Sequence, residues 1–379
     1  MLTEHQSQIF SAMLADPSPI VNFNGPAGTG KTYTINDLLN TTDASIELTA
    51  TTNKALSHYD VDGRTTASFL GFTMVYGSLR EKQNHIQSRC HYLVVDESSM
   101  LSRQLLRAIE EYVKQGYFHK VILVGDPIQL QIDQFLDLSQ YPSYELQQPM
   151  RQTEDNALKN ELIKLRAKIE KKGSPERLND DNVSIIRYDD HKLFLQAYKN
   201  SQKHKYLLAY KNQTVRTYNR KVVKDLHKRP NEYNVGDVLI ALSPLFDNKG
   251  KMLLKNREEF LIDDIVEFDN YWQVNSVVKI PKTKTWLEQQ LQVFKDSKDW
   301  KNFYKIKESF IFVHHSYAGT VHSAQGATFD EVFIDVTDFA VPNDPISQTL
   351  LRLMYVGLSR ARQTAHIFVG ESRTWTGLE

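Results

Sequence analysis

Residues 25 to 32 read G-P-A-G-T-G-K-T, the spacing G-x-x-x-x-G-K-T, directly after the apolar run "PIVNF" and before the helix-like "YTINDLLN". Glycines at such spacing let successive backbone N–H groups turn inward toward an anion, and a helix that follows adds the positive end of its dipole. Gly25, Pro26, Ala27, Gly28, Thr29 and Gly30 form the cradle, Lys31 reaches the β- and γ-phosphates, and the Thr32 hydroxyl suits Mg²⁺. The expected ligands are therefore ATP or a similar triphosphate, with Mg²⁺.

Two further apolar strands end in polar residues that suit the same chemistry. "HYLVVDESSM" presents Asp96, able to hold Mg²⁺, and Glu97, able to take a proton from an attacking water. "KVILVGDPIQLQ" presents Gly125, Asp126 and Gln129, whose amide can bond both a γ-phosphate oxygen and the lytic water. Paired Glu97 and Gln129 suit water rather than an acceptor hydroxyl, which disfavours a phosphate-transferring kinase.

These strand ends need a scaffold. "PIVNF", "IELTA", "HYLVVD" and "KVILVGD" alternate with helical segments such as "RQLLRAIEEYVKQ", the pattern of a parallel sheet in a three-layer α/β domain. A second set, "KYLLAY", "DEVFIDV" and "TAHIFVG", accompanies "ALKNELIKLRAKIEKK" and "SQTLLRLMYVGLSRA", so two α/β domains are expected, over 1–150 and 151–379. Residues 243–313 change texture, with short β-like pieces before the lysine-rich aromatic "KTWLEQQLQVFKDSKDWKNFYKI", and read as a small β-rich inserted subdomain with a helical arm.

In its 379 residues the chain carries 46 basic and 46 acidic side chains, but unevenly: residues 1–150 hold 10 against 16. Ten basic residues crowd 199–229 with Tyr206, Tyr210 and Tyr218 among them, a pattern suited to phosphate contact and base stacking. A solvated helix face is the competing reading. The single cysteine, Cys90, excludes an internal disulfide and a cysteine-rich zinc centre. With no apolar run of membrane-spanning length and no signal-peptide pattern, no membrane contact and a cytoplasmic location are expected.

The ordered series "FNGPAGTGKT", "LTATTNKAL", "TTASFLG", "LVVDESSM", "VILVGDPIQLQ", "QQPMRQ", "GTVHSAQGATFDEVFID" and "LMYVGLSRAR" resembles motifs I, Ia, Ib, II, III, IV, V and VI of superfamily-one helicases, most closely the RecD- and Dda-type branch, over nearly the whole chain. The resemblance implies two RecA-like P-loop domains closing on nucleotide. It makes Gln6, in "LTEHQ", the adenine reader, adds Gly326 to the nucleotide site, and makes Arg151 and Arg360 guanidiniums that act across the cleft. For a DNA track it implies Thr51, Asn53 and Lys54, then Thr66 and Ser68, then Tyr210, Asn212, His322 and Ser323. Ala67 stands where related motifs carry a histidine, so any contact of that ring is missing or supplied elsewhere.

Residues 71–90 occupy the place where relatives insert a strand-separating pin, with Phe72 or Tyr76 as the stacking ring or, equally, as core. The implied activity is ATP-driven movement 5′ to 3′ on single-stranded DNA with unwinding at forks. The branch features are "LTEHQ" close to the amino terminus, a short chain and the insertion ahead of "TVHSAQG". A phage-type monomer working beside replication or recombination proteins is implied too. An RNA helicase or remodeller, and an ATP-gated single-strand clamp without unwinding, remain open at this stage.

Overall fold

The computed structural model describes residues 2–26, 28–56, 58–75, 78–81, 89–130, 136–147, 157–171, 184–226, 232–247, 251–339 and 348–370. By internal contacts the chain divides into a larger unit, Met1–Leu208 with Val321–Glu379, and a smaller one, Ala209–Thr320.

The larger unit holds two parallel sheets. In the first, the strands lie in the order Arg64–Thr65, Ile46–Ala50, Cys90–Asp96, Phe118–Gly125, Ile20–Asn24, Ser143–Glu145. Its central strands are continuous apolar runs because both faces are covered by helices. Phe10, Met13, Ile35 and Leu38 pack on one side, and Leu101, Leu105, Ile109 and Tyr112 on the other. The register pairs Ala50 with Asp96 and Asn24 with Gly125. That alignment brings the loop after Asn24 and the residues at Asp96 and Asp126 out at one edge, the carboxyl edge where open α/β sheets bind ligands.

In the second sheet Lys205–Ala209, Phe329–Asp335, Ala361–Phe368 and Ile185–Tyr188 follow one another, every pair parallel. Helix Gln348–Ser359 is buried along most of its length and packs against helix Ala157–Glu170. Two such parallel sheets are the RecA-like pair the motif series implies.

An antiparallel hairpin, Phe72–Val75 with Ser78–Glu81, stands where the pin was expected. Tyr76 lies outside the described residues. Phe72 is 6% exposed within the core of the first sheet, so burial removes it from the rings able to stack on a base.

The smaller unit is β-rich. Val238–Ala241 pairs antiparallel with Glu259–Leu261 and Val313–His315, and Ile265–Glu267, Tyr271–Val274 and Val278–Pro281 form a meander. Leu239, Ile262, Val274, Ile280 and Ile311 make its core. Helices Lys284–Asp296 and Trp300–Ser309 follow the meander.

Candidate nucleotide site and nucleic-acid track

The phosphate loop is shaped by close approach. Gly28 and Gly30 adopt left-handed backbone, at φ 83° and 90°, and Gly30 caps helix Lys31–Thr41. A Cβ at Gly30 would collide with the Gln6 amide, and one at Gly25 would meet the Leu146 carbonyl at 2.6 Å. Gly30 is thus required by its left-handed backbone and Gly25 by the close approach of the Leu146 carbonyl. Ala27 lies outside the described residues.

Gln6 is buried against this loop. Its amide nitrogen donates to the Thr29 carbonyl at 3.1 Å, and its oxygen accepts the Thr3 N–H at 3.0 Å as part of a capping box. The Lys31 ammonium donates to the carbonyls of Gly25, at 2.6 Å, and Pro26, at 3.0 Å. Withdrawal from water lowers its pKa, against the pull of Asp126, Glu97 and Asp96.

Gly28, Gly30, Lys31, Thr32, Asp96, Glu97, Asp126, Gln129, Gly326 and Arg360 line one cavity of about 270 Å³, with Tyr33, Ala55 and His58. Residues from the two sheets thus meet in one place. The donor set fits a magnesium nucleotide: a glycine cradle, a lysine, a threonine hydroxyl and a buried carboxylate.

Glu97 sits on left-handed backbone, φ 50° and ψ 44°, an uncommon conformation for a residue with a side chain. Removal from water, then the neighbouring Asp96, pushes its carboxyl up to about 7, opposed by Arg360 and Lys31. Gln129 is buried, and the Gln325 amide donates to its oxygen at 3.4 Å. Arg360 is 4% exposed, with Nη2 donating to Ser359 Oγ at 2.8 Å and Nη1 to the Ala327 carbonyl at 3.2 Å. Arg151 lies outside the described residues.

Sequence reasoning passed over several neighbours. The Tyr59 hydroxyl donates to Asp96 Oδ2 at 2.8 Å, and its phenol is pushed well up by burial and by that carboxylate. His58 Nε2 contacts the Gly326 carbonyl. Arg166 donates to Asp126 at 2.9 Å and Glu145 at 2.7 Å. His58 and Tyr59 follow directly on "TNKALS", yet nothing local marks either, because the partners are 268 and 37 positions away.

The implied track residues differ in availability. Ser68, Asn212 and Ser323 are exposed, while Thr51, Asn53, Tyr210 and His322 are half-buried. The Thr51 hydroxyl donates to the Glu97 carbonyl at 3.1 Å, which ties this loop to the site. Thr66 is fully buried and donates to Thr49 Oγ1 at 3.2 Å, so its side chain is withdrawn from any track. The Lys54 ammonium lies 5.5 Å from the ring centroids of both Tyr206 and Phe329, an attraction to aromatic faces that joins the two sheets. Tyr206 stacks on Phe329 in the core, and Tyr218 is buried as well. Of the three tyrosines in the basic stretch only Tyr210 keeps a partly open ring.

A family model described as an AAA domain matches residues 1–181, and one described as a UvrD-like helicase C-terminal domain matches residues 315–368. No curated protein matches the chain. The fold is similar to that of Pif1 helicase from Candida albicans, at TM-score 0.57 and 15% identity, over 99% of this chain and 96% of that one. It is also similar to Bacteroides Pif1 helicase in complex with ADP-AlF3 and single-stranded DNA, at TM-score 0.53 and 16% identity, over 99% and 94%. A third solved structure, of two coordinating Pif1 helicases on forked double-stranded DNA, gives TM-score 0.55 and 18% identity over 97% and 92%. The AAA-domain match falls on the half that carries the phosphate loop and the UvrD-like helicase C-terminal match on the segment that carries Gly326 and Arg360, and the chain, with its two RecA-like sheets around one cavity, resembles the superfamily-one helicases in motif series and fold.

Proposed function

We propose that the chain couples Mg²⁺-dependent ATP hydrolysis to 5′-to-3′ movement on single-stranded DNA and unwinds the duplex it meets. The carrying observation is the cavity itself. Lys31, Thr32, Asp96, Glu97 and Gln129 from the first sheet share it with Gly326 and Arg360 from the second, so turnover requires the two halves to be together.

In this reading the glycine cradle and Lys31 bind the phosphates, while Thr32 and Asp96 hold Mg²⁺, which neutralises phosphate charge when bound. Glu97, with its carboxyl near 7, accepts the proton of the attacking water that Gln129 orients. Arg360, joined by Arg151, stabilises charge on the transferring phosphoryl group. Gln6 reads adenine. The two motor domains are 1–150 and 151–379, the second interrupted by 243–313.

DNA as the track is supported by the solved relatives, described with single-stranded and forked DNA. Its contacts are Thr51, Asn53, Lys54, Ser68, Tyr210, Asn212, His322 and Ser323, with Tyr76 as the candidate stacking ring of the pin. The direction rests on the resemblance of the motif series and the β-rich insertion to the RecD- and Dda-type branch. Alternate tightening of each domain's grip as the cleft closes and opens would provide the step.

The test is unwinding of matched duplexes tailed on one side only, with ATPase stimulation by DNA and RNA measured alongside. Unwinding from a 5′ DNA tail, with stimulation falling steeply as salt rises, is expected. Preference for a 3′ tail overturns the direction, stimulation by RNA alone overturns the track, and stimulation without unwinding leaves an ATP-gated clamp.

A further inference from the structure

Thr32 and Asp96, the two side chains suited to the cation, come from different elements: the first turn of helix Lys31–Thr41 and the end of strand Cys90–Asp96. One of them is held by a phenol: Tyr59 donates to Asp96 Oδ2 at 2.8 Å. The other carboxylate oxygen, Oδ1, accepts the Glu97 N–H at 2.8 Å, so Asp96 is held at both ends.

Core packing alone does not call for that hydroxyl. The Tyr59 ring belongs to the apolar cluster of Ile35, Leu38, Leu48 and Val94, which a phenylalanine would fill as well. A buried hydroxyl must find a partner, and here it selects the carboxylate most exacting in orientation. Outer-shell partners of this kind set the aim of the groups that hold a metal.

We propose that Tyr59 is a positioning residue for the magnesium site: by bonding Oδ2 while the Glu97 N–H bonds Oδ1, it presets the aim of the Asp96 carboxylate toward the cation. This rests on the ATP and Mg²⁺ reading above. A carboxylate already held in orientation loses less freedom on binding than one that must be ordered.

The test is binding of a fluorescent ADP analogue to the full chain, titrated with MgCl₂ and repeated with chelator. In Tyr59→Phe the Mg²⁺ midpoint for tightened binding is expected to rise about tenfold, the lower end for loss of an outer-shell partner. Affinity in chelator should stay at the wild-type value. An unchanged Mg²⁺ midpoint overturns the proposal. So does an equal loss in chelator, which would make the hydroxyl a support of the phosphate loop. Cooperative melting checks the fold, and if the Phe variant lacks it Tyr59→Leu, also without a donor, is judged by the same two outcomes. A wild-type chain that binds the analogue no tighter with Mg²⁺ than without would remove the magnesium reading itself, and this proposal with it.

Discussion

The Tyr355 hydroxyl donates a hydrogen bond of 2.9 Å to Asp126 Oδ2, across from one sheet to the other. Asp126 Oδ1 accepts from Arg166 at 2.9 Å, and Arg352, one turn from Tyr355, donates to the carbonyls of Pro127 and Gln129 at 2.8 and 2.7 Å. The segment that aims Gln129 into the cavity is therefore clasped by the helix that runs into Arg360. Removing one such bond to a charged group is worth about 1.5–3 kcal/mol. Tyr355→Phe is expected to lower DNA-stimulated hydrolysis roughly tenfold while nucleotide affinity stays near wild type. Equal loss of affinity and turnover would assign the bond to folding of the site.

Lys31→Ala should abolish hydrolysis, and Glu97→Gln should bind ATP but lose turnover by roughly two to four orders of magnitude. Near-normal turnover in either variant refutes the assignment. Because the Glu97 carboxyl lies near 7, kcat/KM for ATP should climb as pH rises through that value and level off above it. Stability runs the opposite way. A raised carboxyl contributes fully below its ordinary value of 4.5, and that contribution is lost as pH rises through about 7. At pH 8, Glu97→Gln should melt above the wild type, measured by calorimetry.

Arg360→Ala, and likewise Arg151→Ala, should slow hydrolysis far more than it weakens nucleotide binding, since a guanidinium reaching across a cleft acts mainly on the transition state. Single-turnover rates compared with equilibrium binding separate the two effects. A variant with collapsed affinity and an intact turnover number would make its arginine a ground-state binder.

In the smaller unit, burial raises the carboxyl of Asp237, but His315, Tyr317 and the Asn234 backbone outweigh it and hold it down to about 2. His315 Nε2 lies 3.4 Å away, and the Tyr317 hydroxyl donates at 2.8 Å. A depressed carboxyl stabilises above its ordinary value of 3.8 and loses that contribution as pH falls through about 2. Asp237→Asn should cost about 2 kcal/mol at pH 7, and the gap to wild type should narrow as pH falls below 3.8 toward about 2. A gap independent of pH would point to packing instead.

The phosphate loop was legible from Gly25 to Thr32 because all its parts are contiguous: strand, turn and helix start are local properties, and the N–H groups that face an anion come from neighbouring residues. Asp96, Glu97 and Gln129 were legible for a related reason, as polar residues closing apolar strands whose parallel pairing brings their ends to one edge. Which side chains remained available was a different matter. Phe72, Thr66, Tyr206 and Tyr218 fitted an aromatic and polar track by type, yet each is buried. The bridge from Tyr59 to Asp96 and the clasp of Tyr355 on Asp126 join residues 37 and 229 positions apart. Periodicity assigns a residue to a strand or a helix, but burial and hydrogen-bond partnership depend on what packs against that face, and only the folded chain brings those atoms within 3 Å of each other.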